Sequence, residues 1–171
     1  MALMAYTSEG AVAEWGGLLL HDVKHATPAF AALVYGCFAC SMAIFRLFGD
    51  KLRVLLGDFK LIFCGGLLTA VGLITVMLSP FSLLCMAGYI GMGIGLSPIM
   101  PLVLSRAGHY PGIRASTASA VVSFCGYGGL LVVPPTLGFI AHMSSLLTAM
   151  LVPLAAILFL TIGSFVFKHK R

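Results

Sequence analysis

Two acids stand in an otherwise neutral N-terminal stretch: Glu9 and Glu14 lie between Met1 and Leu20, and Trp15, the single tryptophan, adjoins the second. An acid at the centre of a membrane helix costs about 2.5–3.5 kcal/mol even on the lenient insertion scale. Such acids therefore face a bundle interior or a water-filled cavity, where they bind polar solutes or exchange protons. With a helical rise of about 1.5 Å per residue, Glu9 lies roughly 18 Å and Glu14 roughly 10 Å from the end near His21, both close to the midplane of a ~30 Å core. Five residues at about 100° each place the two side chains roughly 140° apart, so they form no carboxylate dyad. The alternative for each is a structural acid bonded to a neighbouring helix, and Trp15 either stacks on a solute or fills space. Glu9, Glu14 and Trp15 are the candidate substrate- or proton-binding residues.

A second constellation is the run Arg46-Leu-Phe-Gly49-Asp50-Lys51-Leu52-Arg53. Gly49 permits a tight turn directly before an acid flanked by bases, and Asp50 has Arg46, Lys51 or Arg53 as partners, or the start of a neighbouring helix. Other reactive residues carry weaker signals. Cys37 and Cys40 form C-x-x-C with no third ligand near them in sequence, and all five cysteines fall in apolar runs, so neither a metal site nor a disulfide framework is expected. His21 and His25 have i,i+4 spacing but flank Asp22 and Lys24 at an expected membrane boundary. Gly95-Leu96-Ser97-Pro98 approaches the Gly-x-Ser-Gly segment of six-helix intramembrane proteases, yet Pro98 replaces the second glycine, and His109 and His142 fall in expected loops. No enzyme is expected. No nucleotide-binding G-x-x-x-x-G-K-[ST] occurs, and no cofactor is implied.

The elements that must position these residues follow from composition. Of 171 residues, 60% are hydrophobic and 9% charged, which excludes an ordinary water-soluble domain. The net charge of +5 is too sparse for a nucleic-acid-binding stripe. Charge is absent from His25 to Phe45, from Leu61 to Ser105 and from Ala115 to Phe167. A bilayer crossing takes about 20 apolar residues, so the first run holds one span and the others two each, divided at Ser79-Pro80-Phe81-Ser82 and His142-Met143-Ser144-Ser145. With Met1–Leu20 this predicts a single all-α domain, 1–171, of six transmembrane helices near 1–20, 28–47, 61–79, 82–105, 115–140 and 146–167. A cleavable signal peptide is not expected, since no basic region precedes the first apolar stretch and that stretch carries two acids. The segments 46–60, 106–114 and 168–171 carry Arg46, Lys51, Arg53, Lys60, Arg106, Arg114, Lys168, Lys170 and Arg171, while the opposite set carries only Lys24. The positive-inside rule then puts both termini in the cytoplasm.

Glycines and prolines shape the fourth and fifth helices. Gly91 and Gly95 form a small-xxx-small pair that lets backbones approach closely, and Pro98 removes a backbone donor just beyond them. The fifth helix carries Gly126, Gly129, Pro135 and Gly138. Close-packed, kinked helices suit a protein that rocks between states, though channels use them too.

The Gly49-Asp50-Lys51 segment after a helix ending in Arg46 resembles the basic, Gly-Asp-containing loop of the major facilitator superfamily. The glycine-rich fourth helix, the Gly126, Gly129, Pro135 and Gly138 pattern, and the opening Glu9-Gly10-Ala-Val-Ala-Glu14-Trp15 are similar to the carboxy-terminal half of its bacterial sugar-permease-like members. The resemblance covers essentially the whole chain. It implies secondary active transport by alternating access, half of a twelve-helix fold built as an inverted three-plus-three repeat, and a cytoplasmic gate formed by Arg46, Gly49, Asp50 and Arg53. The stretch Val54-Leu-Leu-Gly57-Asp58-Phe-Lys60 departs from the family by lacking a tight cluster of terminal bases. The expected partners are the lipid bilayer, a small-molecule substrate with protons as a candidate coupling ion, and an amino-terminal half or a second copy, but no nucleic acid. Length favours a half or fragment of a larger transporter, expected in a bacterial inner membrane. The alternative is a non-transporting subunit or an inert truncation product, and substrate class stays open.

Overall fold

The structure, a computed structural model, describes residues 1–168 and is helical throughout, with no strand among the described residues. Lys170 and Arg171, two of the bases used for orientation, lie outside the described residues. Helix α1 (Ala2–Leu18) runs on into a π-helical segment, Leu19–Val23, and is followed by α2 (Pro28–Leu47) and α3 (Gly49–Leu78). The second half holds α4 (Ser82–Leu96), α5 (Ile99–Gly108), α6 (Ala115–Met143), the short α7 (Leu146–Ala149), α8 (Leu151–Gly163) and a 3-10 turn, Ser164–Phe167. Among the described residues, five stretches are long and apolar enough to cross a membrane: Pro28–Leu47, Gly49–Leu78, Ser82–Gly108, Ala115–Met143 and Leu146–Phe167. Helix α1, with 17 residues and two acids, is not among those five. The chain is a polytopic helical membrane protein.

Local chemistry sets the ends of several elements. Thr27 accepts a hydrogen bond from the Phe30 N–H (3.3 Å), and Pro28 occupies the first helical position of α2, where its missing donor costs nothing. Ser145 caps α7 by accepting from the Thr148 N–H (3.1 Å). The charged segment 46–60, read from sequence as a loop, is instead largely helical: α3 begins at Gly49, and only Gly57 departs from helical geometry, with φ 74° and ψ 163°. Leu52, Arg53 and Leu55 are good helix formers, while Gly57 alone there adopts a positive φ without a Cβ penalty. Gly57 thus breaks the 30 residues of α3 into a short helical segment and a longer one, and the 21 residues from Asp58 to Leu78 alone reach about 31 Å, enough for a ~30 Å hydrocarbon core. Its charge-free part from Leu61 to Leu78 is the membrane-crossing portion, and the Gly57 turn lies beyond it. The fourth predicted helix is likewise interrupted, since α4 and α5 are separated at Ser97-Pro98.

Helix packing is governed by glycines. A Cβ added to Gly65 would collide with the Gly95 carbonyl, and one added to Gly95 would collide with the carbonyl of Gly65. Two helical turns away, a Cβ on Gly72 would sit 2.5 Å from the Gly88 carbonyl, and one on Gly88 2.6 Å from that of Gly72. Glycines seven residues apart on antiparallel α3 and α4 thus meet in register, letting backbones touch where the lipid provides no hydrophobic drive. Gly93 faces the other side of α4, against Phe38 and Ser41 of α2, and Ser41 Oγ donates to the Ile90 carbonyl (3.2 Å). Helix α4 is therefore wedged between α2 and α3. On the other flank, α1 packs on α6, with Gly126 under the Tyr6 ring, Gly129 under Leu3 and Gly138 under Trp15. Helix α8 closes the bundle against α1 and α3. Tyr89, Phe38, Ile62, Met92 and Leu160 form the centre of the core, whereas Leu47, Val54 and Phe124 are each more than 80% exposed.

Candidate functional site

The charged end of the bundle is built by the Gly57 turn. It sets Asp58 between the N-terminal part of α3 and the end of α5, where its side chain is 8% exposed. Asp58 Oδ1 accepts from Arg53 Nε at 2.8 Å, and Oδ2 accepts from Arg106 Nε. Arg53 Nη1 also donates to Ser105 Oγ (2.9 Å), so one carboxylate and two guanidinium groups tie α3 to α5. Asp58 stands outside the membrane-crossing part of α3. Burial works to raise its pKa, but the hydrogen bonds and positive charges of Arg53 and Arg106 outweigh this and hold it below the ordinary carboxylate value.

The anchoring acid is thus Asp58, not the Asp50 that the spacing singled out as a partner for Arg53. Asp50 is exposed in the first turn of α3, where an acid complements the helix dipole. Arg46, Gly49, Asp50 and Arg53 nevertheless line one cleft of about 200 Å³, whose other wall is Ser97, Pro98, Pro101 and Ser105 at the α4–α5 break. Arg46 points back along its own helix, its Nη2 lying 3.2 Å from Met42 Sδ.

Toward the middle of the bundle Glu9 is half-buried on α1. Three residues before it, Tyr6 stacks on Tyr127 of α6 with ring centroids 5.3 Å apart. Glu14 is exposed elsewhere on α1. Trp15 packs against Gly138 and into an apolar cluster with Ala11, Val133, Leu137 and Ala149; its buried Nε1 has no hydrogen-bond partner among the described residues. The structure therefore sets Glu9, half-buried beside the Tyr6–Tyr127 stack, apart from the exposed Glu14 and from Trp15 in its apolar cluster.

Gly95, Gly126, Gly129 and Gly138 all lie at helix contacts, but Gly91 meets only Leu68 at an ordinary 3.7 Å. Pro98 caps α5, and Pro134 and Pro135 lie inside α6. His21 and His25 do not share a helical face: the π-helical segment ends at Val23, His25 has φ 54°, and His21 Nδ1 is 3.1 Å from the Ala26 carbonyl. Cys37 Sγ lies 3.6 Å from Met86 Sδ, and Ser97, 1% exposed, donates to the Ile94 carbonyl (2.8 Å). Sequence reasoning did not reach Arg106, Ser105, Tyr6 or Tyr127 as site residues, nor Asp58 as the anchor. A signal for Asp58 existed, since Gly57-Asp58 repeats Gly49-Asp50 eight residues later.

A membrane-crossing bundle, helical throughout its described residues and with an ion-paired charge cluster at one end, defines a class, the polytopic membrane proteins. Comparison with known proteins narrows it. The chain is 30% identical over 164 residues to an uncharacterized MFS-type transporter of Yersinia pestis, covering 96% of this chain and 42% of that protein. It is 30% identical over 171 residues to the membrane protein MosC of Rhizobium meliloti, covering 100% of this chain and 42% of MosC. A third relative is the uncharacterized transporter y4wD of Sinorhizobium fredii, 30% identical over 146 residues, which are 85% of this chain and 39% of that protein. No family model matches the chain. Over nearly its whole length the chain is thus similar to membrane transporters, one of them an MFS-type (major facilitator superfamily) protein, and it spans about two fifths of the length of the relatives it matches.

Proposed function

We propose that the chain is the carboxy-terminal six-helix half of a twelve-helix secondary transporter, moving a small solute by alternating access. The observation that carries this reading is the order of helix pairs. Taking α4 with α5 as one span and α7 with α8 as another, exchange of the first three spans with the last three maps contact onto contact. The pair α1 with α6 becomes α2 with α4; α1 with α8 becomes α3 with α4; α1 with α2 becomes α5 with α6. That is the signature expected of an inverted three-plus-three repeat, in which α1 serves as the sixth span. In this reading Glu9 lines the solute or proton pathway, and the cleft holding Arg46, Gly49, Asp50 and Arg53 is the cytoplasmic gate.

The test is uptake by proteoliposomes holding this chain alone, an amino-terminal half of a relative alone, or both. The probe is a panel of labelled sugars, amines and amino acids under an imposed pH gradient. Uptake is expected only with both halves, and Glu9→Gln should abolish it or remove its dependence on the gradient. Correctly inserted, associated halves that transport nothing in the panel and leak no protons would overturn the reading. So would Glu9→Gln uptake with unchanged pH dependence, as far as the role of Glu9 is concerned.

A further inference from the structure

A second, larger cleft of about 650 Å³ opens at the basic end, where the Gly57 turn, the end of α5 and the 3-10 turn after α8 meet. Lys60, Arg106 and Lys168 line it, against the single acid Asp58. Both oxygens of Asp58 are already engaged, by Arg53 and Arg106, so the cleft keeps a net positive charge. Arg106 reaches Asp58 through Nε alone, leaving its Nη1 and Nη2 without a hydrogen-bond partner among the described residues.

The bases border an aromatic cluster. The Phe59 ring lies 5.8 Å from Phe63 and 5.2 Å from Phe165, and Phe63 lies 5.9 Å from Phe165. Lys168 Nζ stands 5.9 Å from the Phe59 centroid and 5.7 Å from that of Phe165, and Arg106 Cζ lies 5.8 Å from the Phe167 ring. Phe165 is itself 47% exposed, and Ile162, one helical turn before it, is 65% exposed, so the cluster carries open apolar surface. Topogenic bases need only lie in a loop on the correct side. They need neither a cleft nor a bed of stacked rings that leads from charge to apolar surface.

We propose that this cleft binds the phosphate of an anionic phospholipid, with Lys60, Lys168 and the free end of Arg106 around the phosphate and an acyl chain along Phe63 and Phe165. Basic pockets between helices at the headgroup level recognise lipids by this chemistry, and each lysine near such a surface is worth about a fivefold change in binding. The site is independent of the transport reading, because it needs only the bundle and the bilayer.

The test uses the full chain in nanodiscs of phosphatidylcholine containing a minority of phosphatidylglycerol, followed by native mass spectrometry of lipid retained after detergent extraction. Phosphatidylglycerol should be retained over phosphatidylcholine by roughly tenfold or more. The double variant Lys60→Gln/Lys168→Gln should remove that preference, since two lysines at about fivefold each are enough to cancel a tenfold difference. Lys60→Arg/Lys168→Arg should keep it, which also reports a folded cleft, and Lys51→Gln, which does not line this cleft, should leave it unchanged. Equal retention of the two lipids, or an equal loss in Lys51→Gln, would overturn the site. Complete displacement of the lipid by excess inorganic phosphate would assign the cleft to free phosphate and overturn the lipid assignment.

Discussion

Asp58 is the residue on which the charged end turns. It is almost fully buried between two arginines that are each about one-third exposed, at 33% and 38%. Removing its charge leaves two guanidinium groups facing each other across a cleft. Charge-assisted hydrogen bonds are worth about 1.5–3 kcal/mol when buried, and partial exposure discounts this, so Asp58→Asn should cost about 1–2 kcal/mol. Thermal unfolding in detergent should show it as a midpoint lowered by several degrees. Because the folded pKa of Asp58 is depressed, its contribution is present above the ordinary carboxylate value of about 3.9 and is lost as pH falls through the folded value. The gap between wild type and Asp58→Asn should stay constant from neutral pH down to about pH 5 and close below about pH 4. Adding Arg106→Gln to Asp58→Asn should cost less than the sum of the two single changes, since both break one bridge.

Among the elements, the α3–α4 contact makes the sharpest demand on sequence. Gly95→Ala places a methyl group against the Gly65 carbonyl and Thr69, atoms held by two helix backbones that cannot move independently. Gly91→Ala meets only the end of the Leu68 side chain, at 3.7 Å, while gaining helix propensity of up to about 1 kcal/mol. The two substitutions, one turn apart on the same helix, should therefore differ in sign. Gly95→Ala should lower the detergent unfolding midpoint or the yield of folded protein, and Gly91→Ala should leave both unchanged or raised. Equal effects would mean that α4 packs in another register. The small-xxx-small pattern identified this helix as an interface, but spacing within one helix cannot say which glycine meets a backbone. That depends on the partner, and here Gly65 and Gly72 on α3 choose Gly95 and Gly88.

For the whole molecule, the charge distribution and the proposed repeat make one joint prediction. Reporter fusions after residue 168 and after 109 should report the cytoplasmic side, and fusions after 80 and 144 the opposite side. An α1 that lies on the surface instead of crossing would leave these reports intact but expose residues near Met1 on the outer face, which labelling of an introduced cysteine there would detect. The exposed apolar faces of α2 and α6, including Leu33, Ile44, Phe124 and Leu131, are surface that lipid or a second six-helix half must cover. With this chain spanning about two fifths of its relatives, the proposed reading assigns part of that surface to the other half.

The sequence by itself determined an all-helical membrane protein, because a chain with 60% hydrophobic residues and long charge-free runs must satisfy its backbone internally in lipid. It also determined where several helices start and stop, since capping by Thr27 and Ser145 and the placement of Pro28 are local effects. The family resemblance was legible too, being carried by motif order along the chain. Tertiary structure alone decided which acid holds the arginines. Asp50 and Asp58 follow glycines in the same manner, and only the positive φ of Gly57, together with the arrival of Arg106 from α5, makes one a buried anchor and leaves the other exposed. It likewise decided that Trp15 packs between helices and that Glu9 is half-buried while Glu14 is exposed, because the face a helix presents to a distant partner is a property of the bundle.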